Sequence, residues 1–282
     1  MADTDLVVWG PDRSVDLAAL WQQCADELIS EEELASALWG PRDVVLGTED
    51  GQEAVAVRIR TESDGTVLGW IRLVAVHPER QRQGRGAALI GAAENWLRRG
   101  AAVFVGLADE APPYLWPGVD VANIAAQALA VSCGYEPVES TLNMSLPVSF
   151  RVEPPDGVAI RRVLDDGDVV AVRAMVEHNW DVFLPEFDLA VDSATLFGAF
   201  TDTGPVGFAA HSVARIGWLG PMGTAANWGG RGIGSTLVSA VCTDLMVAGR
   251  SSVEVCRVGP VHFYATLGAE ISRRFQTYLK AL

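Results

Sequence analysis

Apolar positions along the chain switch between the two-residue spacing of strands and the three-to-four-residue spacing of helices. Leu6 to Trp9 predicts a first strand, closed by Gly10-Pro11. Leu17, Leu20, Trp21, Cys24 and Leu28 share one helical face, and Ser14 is placed to cap that helix. Ser30-Glu31-Glu32-Glu33 has the form of a capping box and opens a second short helix, which ends near Gly40-Pro41. Apolar runs at 43–48, 53–60 and 66–76 predict strands, separated by Glu49-Asp50-Gly51 and Ser63-Asp64-Gly65. A helix with Leu89, Ala93 and Trp96 on one face comes next, then a buried strand over Ala102 to Leu107. Residues 109–119 interrupt the pattern with three prolines and two aromatics. A helix over 121–132, ended by Gly134-Tyr135, and a closing strand from Thr141 to Leu146 complete the set.

The plan then starts again. Pro147 to Gly157 reads as a linker, which divides the chain into domains at 1–149 and 150–282. Val158 to Val163 predicts a strand and Asp168 to Val176 a helix, while 178–190 reads as an irregular loop. Strands follow at 195–200, 205–213 and 215–224. A helix with Leu237, Val241 and Leu245 in line, a strand at 252–256, a helix over 260–267 and a strand at 272–279 finish the chain.

One stretch recurs with chemical content. After the strand ending at Val76, the loop Gln81-Arg82-Gln83-Gly84-Arg85-Gly86 opens a helix. Glycines let a ligand approach the backbone, and the unpaired amides and dipole of the helix start favour a pyrophosphate. Arg80, Arg82 and Arg85 add positive charge. A Rossmann fingerprint would need glycine at Leu89, and a P-loop would need Gly-Lys-Ser/Thr, so neither motif fits. Shifted by 148 residues, Gly84-Arg85-Gly86 falls on Gly232-Ile233-Gly234, again between a strand and an amphipathic helix. That repeat points to two domains of one kind.

The loop resembles motif A of the GCN5-related N-acetyltransferases, in which Gln-x-x-Gly-x-Gly holds the pyrophosphate of acetyl-coenzyme A. The resemblance implies an α/β class (α+β) chain of two tandem acetyltransferase folds, each a mixed, mostly antiparallel twisted sheet flanked by helices. It implies coenzyme contacts at Gln81, Arg82, Gln83, Gly84, Arg85 and Gly86, and in the repeat at Arg231, Gly232, Ile233, Gly234 and Ser235. Backbone amides near Val74 and Val76, and near Met222 and Thr224, would face the thioester carbonyl. A tyrosine four residues before the motif B glycine is the family's usual acid; that position is Tyr264 before Gly268, and Ala130 before Gly134. The asparagine often found seven residues earlier is matched by Asn123, with Arg257 in its place in the repeat. The second loop departs from the pattern at Gly229, where Gln or Arg is usual. The first half thus has the better coenzyme loop and the second the better acid.

Other roles fit the same residues. Tyr264 suits a packed aromatic, and Asn123 a helix cap. The 178–190 segment falls where the family places acceptor contacts; it holds Asp181, Glu186 and Asp188 among Trp180, Phe183 and Phe187, and reads equally as a solvated loop. Glu186 and His211 are candidate bases, whereas His77 and His178 read as surface residues. The two-domain layout is similar to that of the mycothiol synthase family, although no residue pattern points to mycothiol itself.

Composition narrows the partners. A net charge of −15 and a pI near 4.6 disfavour nucleic acid and anionic membrane surfaces. No apolar run reaches the roughly 20 residues of a membrane span, and the acidic start is unlike a signal peptide. Cys24, Cys133, Cys242 and Cys256 lack zinc or disulfide spacing, so a cytoplasmic protein without a metal is expected. The expected activity is transfer of an acetyl group from acetyl-CoA, as co-substrate, to a small-molecule amine. The competing expectations are a non-catalytic acyl-CoA-binding module and a protein N-acetyltransferase.

Overall fold

The computed structural model describes residues 5–25, 27, 29–108 and 113–282, so Leu28 and residues 109–112 of the proline-rich stretch lie outside the described residues. In chain order the first elements are β1 (Leu6–Trp9), α1 (Ser14–Cys24), α2 (Glu31–Leu38), β2 (Asp43–Thr48), β3 (Glu53–Thr61) and β4 (Val67–Val76). Next come α3 (Arg85–Arg99), β5 (Phe104–Leu107), β6 (Val119–Asp120), α4 (Ile124–Ser132) and β7 (Glu136–Pro147). The second series is β8 (Ala159–Arg162), α5 (Asp166–Trp180), α6 (Leu184–Asp192), β9 (Leu196–Thr201), β10 (Gly204–His211) and β11 (Trp218–Thr224). It ends with α7 (Ile233–Val247), β12 (Ser252–Val255), α8 (Val261–Thr266) and β13 (Glu270–Ala281). The expected mixed, mostly antiparallel sheet flanked by helices is present in both series.

The chain forms two compact units: residues 1–141 with 274–282, and residues 142–273. Both limits fall inside a long strand rather than at the linker, so the compact units follow a different division from a cut at 149/150. In the first unit β1 to β4 pair antiparallel, β4 and β5 pair parallel, and the end of β13 pairs antiparallel with β5, Tyr278 opposite Leu107. In the second unit β8 to β11 pair antiparallel, β11 and β12 pair parallel, and the end of β7 pairs antiparallel with β12, Met144 opposite Val255. Each half of the sequence therefore supplies one strand end to the sheet of the other. The apolar alternation of β7 continues through Met144 and Leu146, both buried in the core of the second unit.

Each sheet has a helical layer on both faces. In the first unit α1 and α2 cover Ala54, Ala56, Leu73 and Ala75, and α3 covers Val55, Val57 and Ile71 on the other side. In the second, α5 and α6 cover Phe200, Phe208 and Ala210, and α7 covers Ala199, Ala209 and Leu219.

Two local expectations change. Residues 178–190 are helical: α5 runs on to Trp180, a single 3₁₀ turn spans Asp181–Phe183, and α6 follows. Pro185 does not break α6, because it stands in the first turn where no intrahelical amide bond is lost, and Phe187 and Ala190 are buried at helical spacing. Ser14 is the first residue of α1 rather than its cap, and its hydroxyl donates to Glu31 Oε1 at 2.7 Å. The Ser30 box forms as expected, with Glu33 N–H donating to Ser30 Oγ at 3.1 Å.

Candidate functional site

Both glycine loops fold alike. Gly84 and Gly232 adopt φ of +80° and +83° immediately before α3 and α7, a conformation that glycine alone holds without strain. A Cβ on either would meet no atom within 4 Å, so open space lies before each helix start. Gly86 and Gly234 are close-packed instead: a Cβ would come within 3.0 Å of Leu129 on α4 and 3.1 Å of Phe263 on α8. The exposed loop amides, the helix N-terminus and the free space in front suit a diphosphate in both units.

The side chains of the first loop are mostly engaged. Arg85 donates to both carboxylate oxygens of the fully buried Glu53 at 2.7 Å, and Arg80 reaches Asp50 and Glu53. Gln81 donates to Val76 O at 2.9 Å, and Gln83 to Glu79 O at 2.8 Å. Exposed Arg82, at φ 61°, is the one expected loop cation without an ion pair among the described residues. Glu53, 32 residues from Arg85, carries no local signal of this role in the sequence. In the second loop Arg231 stacks over Trp228, 4.7 Å from the ring centre. Ile233 is buried and offers only its amide, and Ser235 is partly exposed in the first turn of α7.

Beyond each loop the sheet opens. Among the described residues β4 pairs with β5 only from Leu68 to Ile71 and has no strand partner on that side from there to Val76. His77 N–H donates to Gln52 O, so the amides of Leu73, Ala75 and His77 point toward β3. By strand alternation those of Val74 and Val76 point into the gap. In the second unit, among the described residues, β11 and β12 pair only at Trp218 and Leu219. Ala225 N–H donates to Val206 O, which turns the amides of Met222 and Thr224 toward the gap in the same way.

The helices beside the gaps differ. Ala130 on α4 is fully buried in the first unit. Asn123 caps α4, accepting from Ala126 N–H at 3.0 Å. Tyr264 on α8 is packed in the α7-side core, its ring 4.9 Å from Phe263 in an edge-on arrangement. Its hydroxyl has no hydrogen bond among the described residues. Burial, and then the nearby Cys256, push that hydroxyl well above the ordinary phenol pKa, so it keeps its proton.

On the opposite face of the second sheet lies Glu186, in the first turn of α6. Burial raises its carboxyl to about 7, although the Arg257 guanidinium pulls the other way. His211 is a different case. Its Nε2 is 2.7 Å from Asp244 and its Nδ1 3.0 Å from Ser212 Oγ, so both ring nitrogens are occupied; burial holds its pKa below the ordinary value.

The corresponding face of the first unit is filled. Leu115 packs among Leu73, Ala75, Ala54 and α1 residues. Pro113 O accepts from Arg72, Trp116 donates to Glu27 Oε2 at 3.0 Å, and its ring lies 4.9 Å from that of Trp21. The 113–116 segment thus covers β4 beside Val74 on the α1/α2 side, a role the proline-rich composition alone does not reveal. Among the described residues no His/Cys/Asp/Glu group could hold a metal ion, and no helix is long and apolar enough to cross a membrane.

Residues 41–137 match the family model of the acetyltransferase (GNAT) domain. A search of curated proteins finds no match. A fungal multi-domain GH3 β-N-acetylglucosaminidase with a GCN5-related glucosamine N-acetyltransferase region is similar over 99% of this chain, with TM-score 0.78 and 18% identity; this chain spans only 38% of that one. A GCN5-related N-acetyltransferase from Sphaerobacter thermophilus is similar at TM-score 0.71 and 21% identity, over 98% of this chain and 95% of its own. A tandem GNAT protein from the clavulanic acid biosynthesis pathway gives TM-score 0.73 at 16% identity, over 98% of both chains. The chain therefore contains an acetyltransferase (GNAT) domain within its first unit and has the tandem GNAT fold over nearly its whole length.

Proposed function

We propose that the protein transfers an acetyl group from acetyl-CoA to the amine of a small molecule, and that the second unit carries the chemistry. The observation that carries this reading is the arrangement around the β11–β12 gap: the amides of Met222 and Thr224 in the sheet, Tyr264 on one face and Glu186 on the other.

Acetyl-CoA supplies the acetyl group as a thioester, an acyl donor open to attack by a neutral amine. The loop from Arg231 to Ser235 would hold its diphosphate through backbone amides and the start of α7. The amides of Met222 and Thr224 would stabilise negative charge on the thioester oxygen. Glu186 is suited to take the ammonium proton of the acceptor, since its raised carboxyl pKa lies near neutrality. The amine nitrogen bonds to the acyl carbon as the carbon–sulfur bond breaks, and the Tyr264 hydroxyl would give the departing thiolate a proton. Acid and base then act from opposite faces of one sheet.

The first unit reads as a coenzyme-holding unit. Ala130 has no proton to give, and the 113–116 segment occupies the face from which an acceptor would meet Val74 and Val76. The test is free-thiol release from acetyl-CoA across a panel of small primary amines, with mass spectrometry of the products. Acetylated amine in the panel is the expected result. Tight CoA binding without any acetylated product would favour the binding-module reading.

A further inference from the structure

Two opposite charges stand half-buried in the second unit, and neither side chain has a hydrogen bond or ion pair among the described residues. Glu186 projects from α6 and Arg257 follows the end of β12. They are close enough to influence each other, yet no ion pair within 4.0 Å joins them. A half-buried guanidinium without a partner is costly, so its surroundings favour an anion that the protein itself does not provide.

The surrounding residues place this pair at the gap. Trp180 and Phe183 lie 5.7 and 6.5 Å from Phe208, which is opposite Gly223 in the β10–β11 register. The Trp180 ring lies so close to Gly223 that a Cβ there would come within 2.8 Å of it. Gly223 stands between Met222 and Thr224, the two residues whose amides face the gap. Glu186 begins one helical turn beyond Phe183, on the same face of the sheet. Arg257 is fixed from the other strand: its N–H donates to Asn143 Oδ1 at 3.1 Å, Asn143 is fully buried, and its φ is +46°.

We infer that the acceptor of the second unit is an amino-acid-like zwitterion, an amine with a carboxylate or similar anion a few bonds away. Its nitrogen faces Glu186, its anion faces Arg257 and its apolar part lies on Trp180. This rests on the acetyl-transfer reading of the same site. A zwitterion brings no net charge, so the acidic protein does not select against it, and it pairs both charges that the fold leaves apart.

Matched probes test it: phenylalanine against 2-phenylethylamine, and 4-aminobutyrate against butylamine. Calorimetry in the presence of CoA reads binding, and thiol release from acetyl-CoA reads turnover. In at least one pair the carboxylate-bearing member should bind about tenfold more tightly or better, the scale of one charge-assisted pairing. R257Q should remove that preference, R257K should retain part of it, and E186Q should weaken both members of the pair. Melting curves and CoA binding establish that each variant is folded. Equal binding of both members, a preference that survives R257Q, or no binding of any probe to the wild-type protein overturns the inference. Selective binding without turnover leaves the subsite standing and sinks the acetyl-transfer reading instead.

Discussion

Lys280 Nζ lies 2.8 Å from Glu94 Oε1, so the only lysine of the chain ties β13 to α3 in the first unit. The same ammonium donates to Cys133 O at 2.8 Å and stands over the Tyr135 ring. Glu94 is buried, and the Arg98 guanidinium is 3.9 Å away and half exposed. K280M would leave that carboxylate poorly compensated. The loss should be about 2–3 kcal/mol, below the full value for a buried pair because Lys280 keeps some solvent contact. Urea unfolding of K280M, E94Q and the double variant checks it; a double variant as unstable as the sum of the singles would deny the coupling.

Removing residues 274–282 should unfold the first unit while leaving residues 142–273 intact in sequence. The deletion strips β5 of its antiparallel partner and takes Phe275 and Tyr278 from the core, each worth about 1.5–3 kcal/mol. By the same argument residues 1–149 alone should fail to fold, since they lack that strand. Amide exchange of Val105 and Leu107 reports it directly. Protection like that of the full chain would count against the strand's role.

The pH dependence follows from Glu186. Its folded pKa is raised from 4.5 to about 7, so the folded protein holds that proton more tightly than the unfolded chain. This contribution to stability is complete below about 4.5 and is lost as pH rises toward 7. Activity runs the other way, because a base must be deprotonated: kcat/KM should climb through pH 7 and level off above it. E186Q should flatten that limb. A wild-type profile already level from pH 5.5 to 8 would remove Glu186 from the role.

The parts legible in the sequence are those carried by short stretches. Gly84 and Gly232 announce a left-handed turn before a helix, and the 148-residue repeat announces two such folds. The strand exchange is invisible because β7 alternates without a break through Thr141 and Leu142, and nothing local records which sheet a strand end joins. Arg85 reads as a free cation until Glu53, far away in sequence, is brought beside it. The 178–190 segment reads as an irregular loop, although its proline stands in a first turn, where it is compatible with a helix.

Which unit turns over can be decided with three substitutions. Gly84→Glu and Gly232→Glu are matched: each residue has positive φ and open space at its Cβ, so each variant should fold at a cost of about 1–2 kcal/mol in backbone strain. Each also places a carboxylate before a helix start, where it repels a diphosphate. If the second unit does the chemistry, Gly232→Glu should abolish turnover, and Gly84→Glu should leave most of it while removing one CoA-binding event in calorimetry. Tyr264→Phe separates acid from anchor, since it keeps the ring in its packed site and deletes only the hydroxyl. Losing a general acid lowers kcat by about 10²–10⁴, whereas KM for acetyl-CoA should barely move because the loop amides are untouched. An active Tyr264→Phe together with an inactive Gly84→Glu would reverse the assignment. The first unit would then be working without a tyrosine acid, on a face that Leu115 covers.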